Sequence, residues 1–247
     1  MEDIVPSLLD KIATDFDLKV GADNEIDVLL GKITSGKGNL HDVSLYARRL
    51  GDLLSMTLQE NLTQDVLPDG KMYYNIADRI ITPMMRQNFN LSLDQAQAIQ
   101  TLVDEKSKIG ISSIRPDFPT ERVQQIVDSL TEDTEFEVIQ RRMGEPVANC
   151  SHSFVDDFVK ANAEYRAMAG LETSITRTLV GGACPYCTRL AGSWPYGEEP
   201  ADVYKRHDSC RCTVTFKSKK GYRQDVHTKI KTIINPQELQ DNILGRS

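Results

Sequence analysis

Residues 165–216 read YRAMAGLETSITRTLVGGACPYCTRLAGSWPYGEEPADVYKRHDSCRCTVTF, and within this stretch the character of the chain changes. Up to Gly170 the pattern is helical. Phe154, Phe158, Ala161, Tyr165 and Met168 recur at three- and four-residue intervals, and Gly170 stands where a C-terminal cap belongs. Ser151 or Ser153 is the expected N-cap of that helix. After Gly170 the period shortens. Ser174 to Val180 alternates and is β-branched, Gly181-Gly182 is turn material, Leu190 to Tyr196 has the look of a hairpin arm, and Cys212 to Phe216 reads as a short strand. The fold class that follows is α+β, a mainly helical body with a small C-terminal β-containing module.

Upstream the helical reading continues. Asn39 is an expected N-cap with Asp42 three residues on, followed by Val43, Ala47, Leu50, Leu54 and Leu58 at helical spacing. Leu67-Pro68-Asp69-Gly70 is a turn. Residues 71–89 pattern as a helix through Tyr73, Ile76 and Ile80, which Pro83 is expected to kink or split. Ser92 and Asp94 are expected to open a further helix carrying Ala98, Leu102 and Val103. Gly110 to Pro119 is a linker or extended crossing. Thr120 begins another helix on Val123, Ile126, Val127 and Leu130, and a short one covers 134–143. This divides the chain into a helical body, 1–150, and a second part, 151–247, made of a long helix, a zinc-binding β module and a basic tail.

Four of the five cysteines fall inside the module. Cys184-Pro-Tyr-Cys187 is a two-residue-gap knuckle that lets both thiolates of one turn point at one ion. His207 and Cys210 repeat the gap, with 19 residues between Cys187 and His207. Two such knuckles about 15–20 residues apart match a structural zinc ribbon. Five donors compete for four places: Cys184, Cys187, His207 and Cys210 are the first choice. Cys212 is the substitute, since residues 210 and 212 share a face once strand geometry begins. A pair of disulfides is the competing reading. A thioredoxin-type redox pair lacks its βαβ setting, and the zinc-deaminase signature lacks both its HxE and the Pro before the first Cys. A module of roughly 45 residues with few large aliphatics cannot make its own core. Thiolate-bound zinc contributes on the order of 10 kcal/mol to such units, which makes the cluster a staple rather than an active site. Cys150 stands apart and reads as a buried, inert thiol.

Charge is distributed unevenly. Residues 1–150 carry 15 Lys/Arg and 25 Asp/Glu, whereas 151–247 carry 14 and 11, out of a formal net charge of −7. Lys205, Arg206, Arg211, Lys217, Lys219, Lys220 and Arg223 lie in the most basic segment, and these are the candidate contacts to phosphate, without base reading. No run of about 18 apolar residues marks a membrane span. The acidic N-terminus, Met1 to Pro6, has no signal-peptide pattern, which predicts synthesis in a reducing cytoplasm. Phosphate-cradling glycine loops and GxSxG, HExxH and EF-hand patterns are missing from the sequence. Asp156-Asp157 point about 100° apart on a helix and read as a solvated face. His41, His152 and His227 read as surface residues. No Asp-His…Asn…His set of an HNH nuclease and no recognition helix of a DNA-binding regulator stand near the knuckles.

The block Cys184-Pro-Tyr-Cys-Thr-Arg-Leu-Ala-Gly192 with Asp202-Val-Tyr-Lys-Arg-His-Asp-Ser-Cys-Arg-Cys-Thr-Val214 resembles the minor head proteins of tailed phages of Gram-positive bacteria, within the Mu F-type head-morphogenesis group. Asn61-Leu-Thr-Gln-Asp-Val-Leu-Pro-Asp-Gly-Lys-Met-Tyr-Tyr-Asn-Ile-Ala77, Asn162-Ala-Glu-Tyr165, Ala169-Gly-Leu171 and Gln224-Asp-Val-His-Thr-Lys229 are similar to the same family, so the resemblance covers most of 40–230. It implies a non-enzymatic, low-copy virion component inside the capsid at or near the portal. Such a protein is made in the host cytoplasm, acts in head assembly or in DNA packaging or ejection, and has portal or major capsid proteins as partners. Its zinc-ligating positions fall on Cys184, Cys187, His207, Cys210 and Cys212. A zinc-dependent, phage-delivered effector such as a nuclease is the alternative.

Overall fold

Asn39 starts the central helix as its side chain dictates. Its Oδ1 accepts from the amides of His41 and Asp42, and the Asp42 carboxylate accepts from the Asn39 amide at 3.1 Å, closing a capping box. In a computed structural model describing residues 3–132, 135–182 and 184–219, that helix is α3 (Leu40–Asn61). Around it lie α1 (Val5–Ala22), α2 (Asn24–Thr34), α4 (Tyr74–Ser107) and α7 (Glu145–Met168), with α5 (Thr120–Leu130) and α6 (Phe136–Arg142) against the α4 and α7 side. The contact of α3 with α7 is close because Gly51 has no side chain. A Cβ there would stand 2.7 Å from the Ser151 Cβ and 2.8 Å from the Ala148 Cα.

Two helices differ from their expected limits. α4 runs through Pro83 without a break and absorbs the helix expected at Ser92. Ile80, Ile81, Met84 and Met85 are all buried around the proline, and burying four such side chains outweighs the roughly 3 kcal/mol an interior proline costs. Ser92, an expected cap, is a buried residue inside the helix. α7 begins at Glu145 rather than near Ser151. Pro146 occupies its first turn, where a missing N–H costs nothing. Ser151 and Ser153 instead donate to the carbonyls of Val147 and Cys150.

α7 ends at Met168, and Gly170, at φ +81°, turns the chain into β1 (Glu172–Thr178). β1 is the middle strand of an antiparallel sheet, flanked by β2 (Gly192–Pro195) and β3 (Thr213–Lys219), with α8 (Pro185–Arg189) between β1 and β2. The register puts Ile175 opposite both Trp194 and Phe216. Thr173, Ile175 and Arg177 face inward, and Ile175, Val203, Val214 and Phe216 join the core that fills the helical body. The sheet thus gains its apolar contacts from α7 and α3 rather than from a core of its own. The architecture is α+β as read from the sequence. Among the described residues no helix is long and apolar enough to cross a membrane.

Candidate metal centre

Each knuckle is shaped by local chemistry. Cys184 is the N-cap of α8: its Sγ accepts from the Cys187 amide at 3.4 Å, and Pro185 fixes the first helical φ. That turn brings both sulfurs to one side. The second knuckle is a tight turn in which the Cys210 amide donates to the His207 carbonyl at 3.1 Å, with Ser209 left-handed at φ +59°. His207 Nδ1 lies 2.7 Å from the Asp208 carbonyl oxygen. A carbonyl only accepts, so Nδ1 carries the proton and the Nε2 lone pair is free.

The two turns converge. His207 Nε2 is 3.2 Å from Cys184 Sγ and 3.0 Å from Cys187 Sγ, and Cys187 Sγ is 3.7 Å from Cys210 Sγ. The donors form two overlapping triads, Cys184–Cys187–His207 and Cys187–Cys210–Cys212, each with its atoms within 4.8 Å of one another. Metal–sulfur bonds of about 2.3 Å in a tetrahedron require sulfurs about 3.8 Å apart, close to the Cys187–Cys210 spacing. All five cysteines are free thiols, so the paired-disulfide alternative is not the arrangement present.

A buried arginine packs against two of these sulfurs. Arg177 is 2% exposed. Its Nη2 faces Cys187 Sγ at 3.6 Å and Cys210 Sγ at 3.5 Å, while Nη1 donates to the Val203 and Lys205 carbonyls. Burial acts against its charge, and the sulfurs of Cys187, Cys210 and Cys212 outweigh burial and hold its pKa above the ordinary value. A guanidinium cannot shed its proton, so a buried one demands anionic neighbours. Here the neighbours are the sulfurs of Cys187 and Cys210, and cysteine binds metal as the thiolate. Burial pushes the Cys187 thiol up to about 12. Burial also acts against Cys210, but the Arg206 charge and the Cys212 amide hold it below the usual thiol range. The Cys187 amide lowers Cys184. The donor set, four cysteine sulfurs and one imidazole gathered in two overlapping triads, fits a metal ion.

α7 holds the second knuckle in place. Asn149 Nδ2 donates to the His207 carbonyl at 3.2 Å, and the Ser209 amide donates to Glu145 Oε2 at 3.0 Å. Glu145 is itself gripped by both terminal nitrogens of Arg48 on α3. Burial opposes the Glu145 charge, and Arg48 overrides it, keeping the carboxyl below its usual range. Arg206 pairs with Asp156 through two contacts of 2.5 and 2.7 Å and donates to the Cys212 carbonyl at 2.7 Å.

Several sequence expectations change here. Arg206, expected to touch phosphate, is a buried strut, with a side chain only 5% exposed. Asp156 is its buried partner rather than part of a solvated face. Burial raises the Asp156 carboxyl pKa despite that partner, and Asp157 pairs with Arg122. His152 is fully buried, with Nε2 2.8 Å from Ser44 Oγ, and His41 Nδ1 lies 2.7 Å from Thr213 Oγ1. Lys205, beside Asp202, and Arg211, 3.5 Å from Asp52, are exposed, as are Lys217 and Lys219. Lys220, Arg223 and His227 lie outside the described residues. The sequence reading missed Arg177, Glu145 and Asn149. An arginine in phase with Ile175 on an alternating strand was the available signal for the first. Compared with protein-family models, curated proteins and solved structures, the chain matches none.

Proposed function

We propose that this chain is a non-enzymatic component of a tailed-phage head, acting at or near the portal in head assembly or DNA packaging or ejection, and that its Cys/His centre holds one structural zinc ion. Zinc is favoured by the donor chemistry, since thiolates and one imidazole arranged for four-coordination suit a redox-inert, borderline-soft ion. The observation that carries the structural role is the buried Arg177 against the sulfurs. Cys187 and Cys210 are buried against a guanidinium, and the second knuckle is strutted from α7 by Glu145, Asn149 and, through Arg206, Asp156, an arrangement suited to fixing geometry. Support for the capsid role comes from the CxxC…RHxxCRC block and the similar segments upstream. Exposed Lys205 and Arg211 on an otherwise acidic protein suit sequence-blind contact with packaged DNA.

Two measurements test this reading. The purified chain is expected to carry about one equivalent of zinc, and to co-sediment with proheads or isolated portal rings in its virion's own assembly system. Failure to associate with portal or shell proteins contradicts the capsid role. Zinc-dependent cleavage of DNA that His207→Ala abolishes while the fold persists would support the delivered-effector alternative instead.

A further inference from the structure

β3 is an outer strand, and beyond it lies a cleft rather than another strand among the described residues. One part of the cleft, about 470 Å³, runs from Asn39 and His41 past Gln100 and Val103 to Thr215 and Lys217. A second, about 230 Å³, continues past Asp104, Ser107 and Ile109 to Lys219 and shares Gln100, Val103, Phe216 and Lys217 with the first. Its two walls are the last turns of α4 and the free edge of β3. The floor is apolar: Val103 is 41% exposed, and the largely buried Phe216 and Ile109 line the cleft with it. Alternate residues of an antiparallel outer strand turn their N–H and C=O groups away from the sheet. Five residues of β3, Thr215–Lys219, border the cleft, about 14 Å of strand edge.

Charge selects the occupant. The lining carries Lys217 and Lys219, both exposed, and one carboxylate, Asp104, which is consumed by Arg166 at 2.6 and 2.8 Å. The adjoining residues of the chain's own continuation, 220–231, have four basic residues against Asp225 and would set like charges together, whereas 232–247, with Glu238 and Asp241 against Arg246, is the rival occupant that the exchange measurement below tests. We propose that the cleft between β3 and the end of α4 takes an extended segment of a partner protein as a fourth strand, with acidic side chains alternating with apolar ones. Backbone pairing supplies the affinity, Val103 and Phe216 receive the apolar side chains, and Lys217 and Lys219 meet the acidic ones. The inference does not rest on the capsid reading.

The test uses the full chain and a fluorescein-labelled, terminally blocked eight-residue peptide alternating Glu and Val, with a Lys/Val peptide as its control. Anisotropy is expected to show the Glu/Val peptide binding about tenfold more tightly than Lys/Val, the order two surface ion pairs supply. Val103→Arg, at an exposed position, is expected to abolish binding, and the double change Lys217→Glu with Lys219→Glu to reverse the preference. Hydrogen exchange of residues 213–219 is expected to slow only when the peptide is present. Equal binding of the two peptides, binding untouched by Val103→Arg, or no binding at all overturns the proposal. Full protection of the β3 amides in the free chain also overturns it, because the chain's own segment would then cover the edge.

Discussion

At the scale of single residues, the fold depends on a few buried charges whose partners lie far away in sequence. Arg166, fully buried on α7, is held by both carboxylate oxygens of Asp104 on α4 and lies over the Phe216 ring at 5.4 Å. Removing one member of such a pair leaves the other uncompensated. Asp104→Ala is therefore expected to cost about 3–5 kcal/mol in urea unfolding, while Asp94→Ala, whose carboxylate pairs with Arg115 at the surface, costs under about 1 kcal/mol. His152 is a second case. Burial first, then the charges of Arg206 and Arg48, drive its pKa well below the ordinary value. The unfolded chain then binds the extra proton below pH about 6.5, so this residue stabilises the fold above that pH and its contribution fades as pH falls. Stability measured from pH 7 to 5 is expected to slope less in His152→Gln than in wild type, by up to about 1.4 kcal/mol per pH unit. Parallel slopes would refute the assignment. None of these partners was legible in the sequence, because Asp104 and Arg166, or Asp156 and Arg206, meet only after the chain has folded. The gathering of Cys184, Cys187, His207, Cys210 and Cys212 into one cluster was legible, because short gaps bring Cys184 beside Cys187 and His207 beside Cys210 within local turns.

At the scale of elements, local signals succeeded where they acted alone and failed where packing overrode them. The Asn39 capping box, the α5 stripe and the Gly170 stop were readable from neighbouring residues. The uninterrupted α4 and the early start of α7 were not, because burial around Pro83 and contact with α3 decide them. The α3–α7 crossing provides a direct probe. Gly51→Ala gains helix propensity yet drives a Cβ into Ser151 and Ala148, and a net loss of about 1–3 kcal/mol is expected from the urea midpoint. At the α1–α2 corner, Asp23 caps α2 by accepting from the Ile26 amide at 2.9 Å. Its hydrogen bond with Arg49 holds its pKa below the usual carboxylate range, against burial. A depressed carboxyl contributes fully above the unfolded value of about 3.9 and loses that contribution as pH falls from there through its lower folded value. Asp23→Ala is expected to cost about 1–2 kcal/mol at pH 7 and progressively less as the pH is lowered below about 3.9.

At the scale of the whole molecule, the Cys/His cluster and the helical body brace each other. The first knuckle hangs on Arg177 of β1, the second on Glu145, Asn149 and Asp156 of α7, and the sheet that carries both shares the body's core. Chelation is therefore expected to loosen β1–β3 first, seen as faster hydrogen exchange there, while α3 and α4 retain protection. The most direct test is the metal content of the purified full chain, wild type beside Cys187→Ser and Cys150→Ser. Cys187 belongs to both triads and Cys150 to neither. About one equivalent of zinc in wild type and Cys150→Ser, with nearly none in Cys187→Ser, is the result expected. A wild-type chain that binds no metal when supplied with zinc, or a Cys187→Ser chain that keeps its full equivalent, would contradict the account.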